Sequence, residues 1–158
     1  MSTDDTPPGL RTDELGERSV TLRTDHATAL EAVRTAVSAV GFSIPTEFSP
    51  ADRINEEHDA DLAPYTVLGL GVPAAAEHAL EAGDPRVGAL FPCRVVVRQI
   101  EPGLQELYHL DTMRLAQEVE LAPEDERWAA LVAQIERMVD DAFARLDRRT
   151  DARGAEPP

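Results

Sequence analysis

The segment "CRVVVRQIEPGLQELYHL", Cys93 to Leu110, decides the fold of this chain. Two runs, "CRVVVRQI" and "LQELYHL", flank Glu101-Pro102-Gly103. β-Branched residues crowd the first run, and apolar and polar residues alternate through both, the pattern of half-buried strands. Proline presets φ at the first turn position and glycine accepts a positive φ at the next, so the two runs close as an antiparallel hairpin. Its register has two solutions. A plain two-residue turn sets His109 opposite Val96, whereas one residue of bulge sets it opposite Val95. The second brings His109 onto the face of Cys93, with Val95 and Tyr108 nearby.

Working outward, "RSVTLRT" alternates Val20 and Leu22 with polar neighbours and reads as a short strand. Thr24 or Asp25 then caps a helix in which Leu30, Val33, Val37 and Val40 recur at helical spacing, with Gly41 as its stop. "FSIPTEF" is a strand that Pro45 confines to an edge or a bend. Ser49-Pro50 opens a short helix to about His58. "YTVLGLG" is near-continuously apolar, as a central strand is, and Pro73 opens the helix "PAAAEHALEA". Near the end, Trp128, Leu131, Val132, Ile135, Met138, Val139, Ala142, Phe143 and Leu146 form one stripe at three- and four-residue steps. Pro123 and Glu124 to Glu126 suit its positive end, and Arg145, Arg148 and Arg149 its negative one. The order β-α-β-(α)-β-α-β-β-α-α specifies an α+β class, a two-layer α/β sandwich with a largely antiparallel sheet of about five strands. Residues 1–17, an acidic stretch, and 148–158 read as disordered tails without a sustained apolar period. Between them 18–147 is one domain ending in an amphipathic helix over 124–147.

Composition narrows the function. Of 158 residues, 42% are hydrophobic, enough for one globular core, but only 4% are aromatic, so aliphatic side chains and alanine fill it. Thirty acidic residues oppose fifteen basic ones, a net charge of −15, and every basic residue is arginine. Such an excess repels a phosphate backbone, and the densest basic run, "RLDRRTDAR" at Arg145 to Arg153, is broken by aspartates, so nucleic acid is not an expected partner. Acidity without lysine fits a salt-adapted surface; a GC-rich genome that exchanges Lys for Arg is the competing explanation. No apolar run reaches membrane-spanning length, and the first residues carry no basic-then-apolar leader. One cysteine forms no internal disulfide, which points to a reducing cytoplasm.

"YTVLGLGVP" before an alanine-rich helix, "GALFPCRVVV", and a hairpin ending in "LDTM" resemble the family called domain of unknown function 302. The likeness spans about Leu22 to Met113, and Leu-Phe-Pro-Cys followed by valines is its most specific part. The resemblance implies a compact α+β domain, commonly alone in its chain and often dimeric. It carries over no catalytic residue, and any cofactor is unknown. Members often carry Cys-Asn-Pro before the second main helix; Gly71-Val72-Pro73 stands here, so a second thiol is missing and Val72 cannot cap as asparagine does. After the hairpin Asp111-Thr112 replaces a frequent Asp-Pro.

Candidate chemistry centres on Cys93. As a nucleophile or ligand it would serve sulfur, redox or haem-related chemistry. As a small apolar residue it would pack on the face it shares with Val95 and Val97, the commoner state of a free cysteine. Pro92 places the thiol at the sheet margin, where ligands approach, and His109 is its candidate neighbour, with Tyr108. The four histidines lack metal-ligand spacing; His58 with Asp59 and Asp61 reads as an acidic loop. Glu77 and Glu81, one helical turn apart, read as a solvated face. No nucleophile elbow, phosphate loop or dinucleotide fingerprint is present, and "GLGVP" lacks the third glycine. The reading is therefore a non-enzymatic, homodimeric domain that binds a small ligand or partner, with thiol chemistry at Cys93 as the alternative. The terminal stripe either covers a sheet face or pairs with its twin.

Overall fold

The computed structural model describes residues 16–81, 85–122 and 124–154. Five strands, β1 (Arg18–Arg23), β2 (Ser43–Phe48), β3 (Tyr65–Gly71), β4 (Cys93–Glu101) and β5 (Leu104–Leu110), form one sheet in the order β1-β5-β4-β3-β2. Every neighbouring pair is antiparallel. Helix α1 (His26–Ala39) links the two sheet edges, while α2 (Pro50–His58), α3 (Pro73–Glu81), α4 (Pro85–Ala89) and α5 (Thr112–Glu118) are short. The last helix, α6, spans Glu126–Gly154.

Local signals place most boundaries. Asp25 caps α1 by accepting from Thr28 N at 2.9 Å, and Gly41, at φ 103°, ends it while Phe42 N donates back to Val37 O. Ser49 caps α2, with Pro50 in the first turn. Pro45 lies on an edge strand, where the β2–β3 register shifts between Ser43 and Thr46, so its missing N–H breaks no interior ladder. The Pro102-Gly103 turn has Gly103 at φ 78°, and the register shifts between Gln99 and Glu101. That bulge selects the second register, with His109 opposite Val95.

The core lies between one sheet face and the helices α1 and α6. Leu68, Leu70, Cys93, Val95, Val97 and Leu107 meet Ala29, Val33 and Val37 of α1. From α6 come Trp128, Leu131, Val132, Ile135, Val139, Ala142, Phe143 and Leu146, with Met138 partly buried. The stripe therefore covers its own sheet. On the other face α2 packs on β3, where Ala51 and Val67 are buried outside the main cluster.

The helix boundaries differ from the sequence reading. Helix α6 begins at Glu126, not 124, because Asp125 accepts from Trp128 N at 2.6 Å and sets the first turn. It continues past Leu146 to Gly154, so 148–154 is helix rather than tail. The apolar stripe ends there, but Arg, Asp and Ala sustain helix without a breaker until Gly154, and Thr150 Oγ1 donates to Thr21 O at 3.1 Å, tying the extension to β1. Of the expected N-terminal tail, Gly16 and Glu17 are ordered against the domain: Glu17 accepts from the Tyr108 hydroxyl at 2.6 Å. The remainder of both tails, 1–15 and 155–158, and Pro123 lie outside the described residues.

The glycines of "YTVLGLG" allow close approach. A Cβ on Gly69 would collide with Thr46 Oγ1 and stand 2.6 Å from Pro92 Cγ; one on Gly71 would stand 2.7 Å from Ser43 Oγ. Pro92 is a rigid ring that cannot swing aside. Gly69→Ala is therefore expected to destabilise the fold by about 1–3 kcal/mol, the usual cost of overpacking, read from the shift of the urea midpoint.

Candidate functional site

Cys93 opens β4, pairs with Leu70 and is 6% exposed. Its Sγ lies 3.4 Å from Thr112 Oγ1, in the first turn of α5. Burial pushes the thiol pKa up, against the weaker opposing effect of the Thr112 hydrogen bond. Beside Thr112 is a void of about 10 Å³, lined also by Val87, Phe91, Met113 and Trp128, room for no more than one water. The structure thus surrounds the thiol with packing.

His109 does share the Cys93 face but engages elsewhere. Its Nδ1–H donates to Arg94 O at 2.8 Å, and its ring lies 6.4 Å from that of Phe143. No hydrogen bond joins it to Cys93. Burial holds the imidazole below its ordinary value of 6.5. Tyr108 stands on the opposite sheet face, since successive strand residues alternate, and burial followed by the Glu17 carboxylate pushes its pKa up to about 12. Pro92 is half-buried over Gly69, after a cis Phe91-Pro92 bond. Pro92, Cys93, His109 and Tyr108 therefore form no single constellation. Among the described residues no group of histidine, cysteine and carboxylate side chains could hold a metal ion.

His109 has a consequence for pH. Because its folded-state pKa is depressed, the unfolded chain binds the extra proton first; its stabilising contribution is complete above about pH 6.5 and is lost as pH falls through that value toward the folded pKa. One proton gives at most about 1.4 kcal/mol per pH unit. In His109→Gln, whose amide still donates, the fall in urea midpoint between pH 7 and 5 is expected to shrink; an unchanged slope would assign that proton elsewhere. Asp25 and Asp125, both held below 3.8, first by backbone N–H donors, act only at lower pH.

A second polar region lies at the hairpin end of the core. Gln105, fully buried, accepts through Oε1 from His26 Nδ1–H at 2.8 Å, since an amide oxygen only accepts and the ring must therefore donate. His26 Nε2 then accepts from the Thr66 hydroxyl at 2.8 Å. Gln105 Nε2 donates to Thr24 O at 3.3 Å. These residues brace the join between β1 and α1. Beside that join opens a cavity of about 260 Å³, lined by Leu22, Arg23, Thr24, Thr28, Ala32, Arg149 and Thr150. Leu22 and Ala32 are buried and supply an apolar floor; the arginines and threonines stand at the rim.

The family model for "Domain of unknown function DUF302" matches residues 18–146. The chain belongs to the DUF302 family. A solved structure, described as the crystal structure of uncharacterized conserved protein DUF302 from Bacillus stearothermophilus, superposes with a TM-score of 0.67 at 21% identity, covering 83% of this chain and 98% of that one. At that identity the likeness shows the fold. No curated protein matches. The DUF302 match ends before Arg149 and Thr150, so the α6 side of the cavity lies past it.

Sequence reasoning missed this cavity and the Gln105 network. Gln105 does share the strand alternation of Leu107 and His109, and the bulged register sets it opposite Gln99. A polar pair on a core-facing row was the available signal. No helix among the described residues is long and apolar enough to cross a membrane.

Proposed function

We propose that this DUF302 domain holds a small ligand without covalent chemistry, in the cavity between β1, α1 and α6. The observation that carries the reading is that cavity: a buried apolar floor with polar groups at its rim, the usual composition of a small-molecule site. Its volume lies just under the ~300–1,000 Å³ of drug-sized sites, so the ligand is small. One lining residue, Thr24, is tied to the Gln105–His26–Thr66 chain by the bond from Gln105 Nε2 to its carbonyl. Thiol chemistry has no comparable support, since burial disfavours the Cys93 thiolate. The α6 stripe is consumed inside the domain, so the reading needs no second copy.

A fragment screen by ligand-observed NMR, run on the wild type and on Thr28→Trp, tests the proposal. Thr28 is half-buried at the rim, and an indole there fills the opening. Hits are expected on the wild type and are expected to vanish in a Thr28→Trp chain of unchanged circular dichroism. Hits that bind both chains alike would refute the location.

A further inference from the structure

We infer that the cavity ligand is a small amphipathic anion, a carboxylate or similar acid with a short aliphatic tail, whose head is held by Arg23 and Arg149. This rests on the cavity reading above and specifies its ligand class.

The charge of the lining differs from that of the chain. In a protein of net charge −15, the lining contains, among the described residues, two arginines and no Asp or Glu. Six other guanidinium groups are paired, Arg18 with Asp140, Arg34 with Glu31 and Glu47, Arg53 with Glu57, Arg98 with Glu106, Arg114 with Glu136 and Arg127 with Glu81, whereas Arg94, Arg137, Arg145 and Arg148 form no ion pair among the described residues and do not line the cavity. Among the described residues Arg23 and Arg149 have no such partner. Two of the three rim hydroxyls do not substitute as donors, because Thr28 Oγ1 donates to Asp25 Oδ2 at 2.7 Å and Thr150 Oγ1 to Thr21 O at 3.1 Å. The charged donation to a ligand head falls to the two guanidiniums, whose forked N–H groups suit a planar carboxylate. Asp25 is the carboxylate beside the rim, and it is committed to Thr28 N and Oγ1 as the cap of α1. A broader hollow lined by Glu120, Glu124, Asp125 and Glu126 has the opposite sign and suits no anion. Below the rim, Leu22 and Ala32 offer only aliphatic contact, which fits a tail without polar atoms.

Arg149 is placed by the helix extension, and Arg23 by the end of β1. Arg149 lies beyond the apolar stripe, in the basic run, and is held over β1 by the Thr150–Thr21 bond. One of the two guanidiniums thus comes from the segment past the DUF302 match, and the other, Arg23, from within it.

Calorimetric titration of the full chain with octanoate, 1-octanol and octylammonium separates the two claims. Octanoate is expected to bind about tenfold or more tightly than 1-octanol at low salt, with octylammonium weakest, and the preference is expected to shrink in molar salt. In Arg23→Gln/Arg149→Gln the octanoate preference should disappear while 1-octanol binding is unchanged; Arg149→Lys in the wild-type background should retain part of it. Both arginines are exposed, so neither change removes core packing. Equal binding of octanoate and 1-octanol, or a preference that survives the double substitution, overturns the anion assignment and leaves the cavity standing. Binding by none of the three overturns both.

Discussion

Trp128→Ala is expected to cost about 3–5 kcal/mol, a large part of the ~5–15 kcal/mol that stabilises a domain of this size. Trp128 is fully buried and belongs to the first turns of α6. Its ring contacts that of His78 at 5.9 Å between centroids and shares the small void with Val87, Leu90, Phe91, Met113 and Ala116. With few aromatics in the chain, no neighbour can grow to fill the space an indole leaves. The loss should appear as a fall in urea midpoint and in thermal midpoint together. Trp128→Phe is a useful companion: Trp128 Nε1 is buried without a hydrogen-bond partner, so removing it forfeits ring volume but no bond, and the cost should be well below that of alanine. Equal costs for the two variants would contradict the packing described for α6.

Iodoacetamide is expected to modify Cys93 in the folded chain at about a hundredth of the unfolded rate or less, because reaction waits on local opening. Three observations combine in that expectation. The side chain is buried, burial raises its pKa and so depletes the thiolate, and Thr112 closes over the sulfur. Cys93→Ser should cost about 1–3 kcal/mol, since a hydroxyl replaces sulfur among Leu70, Val95 and their neighbours. Rapid alkylation of the folded chain near neutral pH, with Cys93→Ser neutral for stability, would restore thiol chemistry as the leading reading.

Much of this fold is legible in the sequence because its signals are local. The Pro102-Gly103 turn, the Asp25 and Ser49 caps, the Gly41 stop and the α6 stripe each depend on a few adjacent residues. What is not legible depends on contacts between distant segments. The register shift between Gln99 and Glu101 lies beyond the β3–β4 ladder and follows from no local residue pattern, so the sequence leaves both hairpin registers open. Helix α6 runs on to Gly154 because β1 supplies a partner for Thr150, 129 residues away in sequence, which no periodicity reveals. The candidate site shows the same division. Cys93, with Pro92 before it, can be placed at the head of a strand from sequence, but its screening by Thr112 cannot. The cavity joins Leu22 and Arg23 of β1 to Arg149 of α6, residues whose polar and apolar characters each look ordinary in their own segments.

Backbone amide shifts of the isotope-labelled chain, followed as a bound fragment or octanoate is titrated in, give the most direct measurement. The account predicts that the perturbed amides cluster at Leu22 to Thr28, Ala32, Arg149 and Thr150, with Cys93 and Thr112 unmoved. Perturbations centred on Phe91, Cys93 and Met113, with the β1–α1 join silent, would contradict it.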